Sequence, residues 1–221
     1  MKKLLNVLLV SFLMALGHTA TSNAEMGFNV GLSGNNSAFY GEGTETLEGD
    51  ATATATREAG AFTANYLSAF IELDTGSVVL GVDYVPSDID TPTNTNLQNG
   101  RTDSKGQKTN TVKATFQDLI TAYAMVRAPY GLYAKVGYSM VDIITKENLG
   151  TGGSYNDVDT EGYTAGFGWE KEMDGGVLFR VEAMAAAYDD VQATSTSAST
   201  KSVEVNDMMS ATARISIAKS F

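Results

Sequence analysis

The sequence predicts an all-β fold, an eight-stranded antiparallel up-and-down transmembrane β-barrel, and three observations carry the prediction. Apolar and polar residues alternate with period two along run after run of the 221-residue chain. The segments between runs are alternately very short and long, the spacing of hairpins that close at one end and open out at the other. The last run sets Met209, Ala211, Ala213, Ile215 and Ile217 against Ser210, Thr212, Arg214 and Ser216, and it finishes on an aromatic residue, Phe221.

The first segment is a targeting signal in form. Residues 1–24 have a basic start (Lys2, Lys3), an apolar run over residues 4–16, and small residues at Ser22, Asn23 and Ala24. The run is too short to span a bilayer as a helix, so residues 1–24 read as a cleaved signal peptide and residues 25–221 as one barrel domain. Removing 24 residues from 221 leaves 197, enough for eight strands and too few for a second globular domain. The 15 basic side chains lose Lys2 and Lys3, leaving 13 against 26 acidic ones and a net charge of −13. That charge repels nucleic-acid phosphates, so no nucleic-acid partner is expected. His18 goes with the signal, and no cysteine occurs anywhere, which removes disulfides, zinc thiolates and thiol chemistry. No other apolar stretch is long enough for a spanning helix, so a membrane crossing falls to strands.

Each strand is then read from its short-turn end. The outward, apolar residues of the first three are Met26, Phe28, Val30, Leu32; Leu73, Ile71, Ala69, Leu67; and Val78, Leu80, Val82, Tyr84. The fourth and fifth give Val126, Ala124, Ala122, Ile120 and Leu132, Ala134, Val136, Tyr138, Met140. The last three give Trp169, Phe167, Ala165, Tyr163; Val177, Phe179, Val181, Ala183, Ala185; and Ile217, Ile215, Ala213, Ala211, Met209. The short joints are Asp74-Thr75-Gly76, Arg127-Ala128-Pro129 and Met173-Asp174-Gly175-Gly176, and the long ones cover about residues 41–58, 87–108, 146–160 and 190–201.

Alternation alone also fits a soluble barrel with its apolar face inward. The opposite face decides between them. A soluble barrel would carry dense charge there, whereas here it holds small or neutral residues such as Asn29, Gly31, Ser33, Gly81, Gly137, Thr164, Gly168 and Ser216, which suit a narrow lumen. The apolar band is also of limited height. Each strand turns polar roughly 9–13 residues above its turn, close to what a tilted strand needs to cross a bilayer, with Asp118 and Asp142 marking the outer border. Phe28, Trp169 and Phe221 fall low, and Tyr84, Tyr138, Tyr163, Tyr40 and Phe39 high, as interfacial girdles do, although strands are rich in aromatics for other reasons too.

With eight strands, an N-terminal signal and the terminal Phe221, the chain resembles the small OmpA-type and OmpX-type outer-membrane barrels of Gram-negative bacteria. The resemblance covers the whole 197-residue mature part and implies residence in the outer membrane as a monomer. Ile215, Ile217 and Phe221 look like the signal read by the barrel-assembly machinery, from which Lys219 departs by standing where an apolar residue is usual; it could snorkel to headgroups. No peptidoglycan-binding domain of the OmpA kind is expected.

The lumen phase holds Glu72, Asp83, Lys135, Glu170, Arg180, Glu182 and Arg214. Charges in a narrow tube are costly unless paired, so a salt-bridged plug is expected from Asp83, Lys135, Glu170, Arg180, Glu182 and Arg214. The alternative is a gate whose pairs exchange to open a narrow pore; the width of eight strands, just filled by side chains, favours the plug. The resemblance implies that catalysis in such barrels rests on a histidine base, and none remains, so no enzyme and no cofactor or metal is expected. Asp157 and Asp159 form a carboxylate pair that a solvated loop explains equally well. The long connections offer surface for interaction. The first is acidic (Glu42, Glu45, Glu48, Asp50, Glu58), and the Ala/Thr alternation of residues 51–56 suits a protruding hairpin. Function is therefore expected to be that of an envelope scaffold and surface-interaction (adhesin-like) protein, meeting membrane lipid, lipopolysaccharide and surface protein partners. A narrow porin-like channel is the alternative.

Overall fold

The computed structural model describes residues 26–47, 56–99, 107–149, 154–196 and 201–221. The expected signal peptide, most of the 51–56 run and the tips of the long connections lie outside the described residues. The strands are β1 (Gly27–Leu47), β2 (Thr56–Asp74), β3 (Val78–Tyr84), β4 (Ile89–Asp90), β5 (Asn94–Asn99), β6 (Gln107–Arg127), β7 (Leu132–Leu149), β8 (Val158–Met173), β9 (Val177–Tyr188), β10 (Val191–Thr194) and β11 (Lys201–Ser220). Eight of them pair antiparallel in the order β1-β2-β3-β6-β7-β8-β9-β11, and β11 returns to pair with β1. The ring is closed, so the membrane-level wall has no free edge. Its seam ends on the last residue: the N–H of Phe221 donates to the Phe28 carbonyl at 2.9 Å and the Phe28 N–H to the Phe221 carbonyl at 3.2 Å.

The short joints follow from glycine. Gly76, Gly131, Gly175 and Gly176 all take positive φ at the hairpin ends, and Tyr130 joins them at φ 65° in the 3-10 turn Pro129–Gly131. At the other end the strands run further than the sequence suggests. Taking about 3.3 Å per residue and a tilt near 45°, 21 residues of β1 rise roughly 50 Å against a hydrocarbon layer of ~30 Å. The expected loop 87–108 contains β4 and β5, and the expected loop 190–201 contains β10. The wall therefore stands well above the membrane.

The faces alternate as the period-two pattern requires. Phe167 is 70% exposed and Ile215 58% on the outside, while their neighbours Gly168 and Ser216 are buried within. Leu73 and Met140 keep the outward phase yet are buried, Leu73 flanked by Phe28 and Leu80 on the adjoining strands and Met140 by Ile120 and Glu161. Inside, glycine opposes aromatic. A Cβ on Gly81 would lie 2.4 Å from the Tyr123 ring, and one on Gly168 would lie 2.4 Å from the Tyr133 ring, so only glycine lets these rings lie across the lumen.

Two bulges change the pattern above the membrane. In β6 the register slips by one residue between Gln117 and Ile120, and β11 slips against β1 opposite Tyr40 and Glu42. Asp118 and Asp207 sit at these slips, each at φ 52°, a left-handed conformation that Asp tolerates better than most residues. Phe116, Ala114 and Val112 continue the sequence phase of the outward Ile120, yet beyond the bulge they face the interior. Phe39, expected in the outer girdle, lies below the slip and keeps the inward phase of Asn35 and Ser37, stacking on Phe62.

Candidate functional site

The interior divides into an ion-paired lower part and an apolar upper part. The lower part begins at the short turns. Arg127, at the end of β6, donates from Nη1 to Asp74 at 2.6 Å and to the Gly76 carbonyl at 2.8 Å, and from Nε to Glu170 at 3.0 Å. Glu170 on β8 also accepts from Arg180 Nε, and Arg180 on β9 reaches across the lumen to Glu72 on β2 with Nη2 at 2.8 Å and with Nη1. Glu72 is completed by the Tyr123 hydroxyl at 2.7 Å and by Asn29 Nδ2 at 3.0 Å. Arg180 is 1% exposed and Glu72 0%. Each lone-pair direction of this enclosed carboxylate meets a donor.

The next layer repeats the device. Arg214 on β11 forms a two-pronged pair with Asp83 on β3, at 3.1 and 3.2 Å, and donates from Nε to Asn35 at 2.6 Å. Asn35 passes a hydrogen bond to Ser68 at 3.2 Å, and Ser68 donates to Asp83 at 3.1 Å. Lys135 on β7 pairs with Glu182 on β9, whose second oxygen lies 4.0 Å from Arg214 Nε, and the Lys135 ammonium rests 4.2 Å from the Tyr123 ring centroid. Hydroxyl pairs fill the gaps: Ser33 with Ser216 at 2.8 Å, Ser37 with Thr212 at 2.7 Å, Thr121 with Ser139 at 2.7 Å.

All six charged residues singled out in the sequence thus lie in two ion-paired groups, Glu170 and Arg180 with Glu72 below and Asp83, Lys135, Glu182 and Arg214 above, which meet where the Lys135 ammonium lies over the ring of Tyr123, the donor to Glu72. The reading of the sequence placed Asn29 on the lumen face without a partner and missed Arg127, Asp74, Tyr123 and Asn35. Arg127 was assigned to a turn, although it continues the inward phase of Tyr123 and Met125 by one step. Ile215, Ile217 and Phe221 all project outward along the last strand, and the Lys219 ammonium lies 5.6 Å from the Phe221 ring centroid. Of the girdle residues, Phe28, Tyr84, Tyr163 and Trp169 are exposed and Tyr138 is half-buried. Tyr138 and Tyr163 meet edge-to-face at 5.2 Å, Trp169 Nε1 donates to the Tyr130 carbonyl at 3.2 Å, and the Tyr84 hydroxyl donates to Asp118 at 3.0 Å.

Above the network lies a cavity of about 610 Å³. Phe39, Phe62 and Phe116 stack in its wall with centroids 4.9 to 6.1 Å apart and planes within 16° of parallel. Val112, Ala114, Val141, Ile143, Val158, Val203 and Val205 also line it. Among the described residues its one carboxylate is Glu147, which accepts from the Tyr155 N–H through Oε1; burial pushes this carboxyl above its ordinary range.

No family model matches the chain, and no curated protein matches it. Solved structures do match. The outer membrane protein OprG from Pseudomonas aeruginosa is 9% identical over 87% of this chain and 95% of its own, with a TM-score of 0.52. The outer membrane protease OmpT from Escherichia coli (8% identity, 92% and 99% covered, TM-score 0.43) and Neisserial surface protein A (10%, 85% and 97%, 0.37) are also similar. At such identities the likeness is one of fold. Together with the closed ring, the apolar exterior and the aromatic borders, the likeness to OprG makes this chain an eight-stranded transmembrane β-barrel of the outer-membrane type.

Proposed function

We propose that the protein is a sealed outer-membrane barrel, exported through a cleaved signal, that works as a monomeric scaffold and through interactions at its outer end, without passing solutes along its axis and without catalysis. The observation that supports the reading is the ion-paired network: Arg180 and Arg214 each reach carboxylates on other strands, and their side chains fill a lumen that eight strands make only just wide enough for side chains. Opening it means stripping several buried charges of their partners at once, each at a cost of several kcal/mol. Assembly would read Ile215, Ile217 and Phe221. Lipid and lipopolysaccharide would meet the band between Trp169 and Tyr163. Surface partners would meet the tall hairpins above Asp118 and Asp142.

Conductance across planar bilayers tests this. The folded wild-type barrel, shown to be inserted by its heat-modifiable gel mobility, gives no stable current steps. Reproducible openings of the wild type would replace the scaffold with the narrow channel.

A further inference from the structure

We propose that the upper half of the barrel is a dead-end binding chamber for a small apolar molecule, an alkyl chain or a hydrocarbon ring, admitted through a gap in the wall between β2 and the β4–β5 segment. The dead end rests on the sealed reading above; the binding does not.

Three observations carry it. The first is the lining. Interiors exposed to water are normally polar, and the lumen below is; yet Phe39, Phe62, Phe116, Val141, Ile143 and Val203 face this cavity, and both bulges turn apolar side chains toward it. The second is size. About 610 Å³ lies within the range of small-molecule sites and far exceeds what packing faults leave. A void so lined holds water poorly, so filling it with carbon is favourable.

The third is the way in. β2 is paired to β1 along its length, but on its other edge it meets β3 only from Ala69 to Asp74, because β3 ends at Tyr84. Above that point β4 and β5 pair with β6, and among the described residues no strand pairs with this edge of β2; β4 still packs close beside it, so the gap lies beside the segment that follows β4. Gly60, Ala61 and Phe62 on one side of the gap and Pro92 and Asn94 on the other all line the cavity. The exposed Leu67 stands just below, at the outer edge of the apolar band. An apolar molecule leaving the outer leaflet, or held there, meets the gap first. The occupant is therefore either a free apolar molecule or an acyl chain of a neighbouring lipid, which share one recognition chemistry.

Photolabelling tests this on the full mature barrel in lipid nanodiscs with a diazirine-bearing decanol, the labelled residues read by mass spectrometry. The expected result is label on chamber peptides containing Phe62, Phe116 and Val141, beyond that on the lipid-facing band, and competed by excess decanol. Gly60 faces inward, and a Cβ there meets nothing within 4 Å, so Gly60→Trp fills the entrance without strain. It should cut chamber labelling roughly tenfold, the change that ~1.4 kcal/mol of lost contact produces. Ala114→Phe, placed on a different strand, should do the same. Nanodiscs with and without lipopolysaccharide separate the sources: protection by it assigns the site to a lipid acyl chain, and unchanged labelling assigns it to a free molecule. Label confined to the lipid band, or chamber label indifferent to both substitutions, overturns the proposal. Conductance with intact chamber labelling would instead overturn the sealed barrel and leave the binding site standing.

Discussion

Replacing Arg180 by Met removes the side chain on which the lower network turns. Arg180 is 1% exposed and donates to Glu72 and Glu170 from opposite sides. Met keeps the length and apolar stem but leaves Glu72, itself 0% exposed, with only the Tyr123 hydroxyl and Asn29 Nδ2. Glu170 fares better because Arg127 still holds it at 3.0 Å. Breaking one partner of a buried pair costs about 3–5 kcal/mol, a factor of roughly 10² to 10³ or more in the folding equilibrium. Removing the stranded charge as well, in Arg180→Met with Glu72→Gln, should recover most of that loss, since Gln still accepts from Tyr123. The assay is reversible urea unfolding in lipid vesicles, read by Trp169 fluorescence, on the wild type, both single variants and the double. A single-variant cost below about 1 kcal/mol, or a double variant that is simply additive, would refute the reasoning that Glu72 depends on Arg180 for its charge.

Other expectations can be checked separately. Gly168→Ala places a Cβ 2.4 Å from the Tyr133 ring and should cost about 1–3 kcal/mol in the same unfolding assay, whereas Gly34→Ala, with nothing within 4 Å, should be near neutral. Phe167→Arg puts a cation on the lipid face and should destabilise by about 2–4 kcal/mol in vesicles, with a smaller effect in a micelle that can deform around it. Asp118→Val forces a β-branched residue to φ 52° and should cost about 1–2 kcal/mol, while Asp118→Gly is tolerated. Asp90, outside the membrane, is held below the ordinary carboxylate range by its hydrogen bond to Lys113, aided by Thr115. A depressed folded pKa stabilises above the unfolded value of 3.8 and loses that contribution as pH falls through the folded one. Hydrogen exchange around β4, corrected for intrinsic rates, should therefore quicken at pH 3 relative to pH 5, and Asp90→Asn should abolish the difference.

The fold was legible because a membrane wall simplifies the code. One face must be apolar over a fixed height and the other must fit a narrow tube, so Val136 beside Lys135, or Phe167 beside Gly168, states orientation outright. Short turns were legible from Gly76 and the Gly175-Gly176 pair. Charge pairing was less so: phase puts Arg214 and Asp83 inside, but the barrel's stagger decides that they meet while Lys135 takes Glu182. The upper half was hidden by the bulges. In β6, Val112, Ala114 and Phe116 share the even phase of Ile120 and Ala122, and one extra residue at Asp118 reverses their facing without disturbing the pattern. A trace remained in β7, where the inward phase passes from Gly137 and Ser139 to Val141 and Ile143. An apolar lumen phase above a polar one marks a chamber.

The central claim is that apolar side chains face lipid around a closed ring whose interior, at the height of the membrane, is polar and paired. Spin labels placed singly on cysteines substituted at Val136, Phe167 and Ile215, and at their neighbours Lys135, Gly168 and Ser216, measure it directly through collision with oxygen and with a water-soluble nickel complex. The first three should collide with oxygen dissolved in the bilayer and not with nickel, and at least Ser216, where a label need displace only a hydroxyl pair, should be shielded from both. The reverse pattern, with Phe167 and Ile215 shielded and the alternate positions open to nickel, would mean a soluble barrel with its grease inside, and would contradict the account.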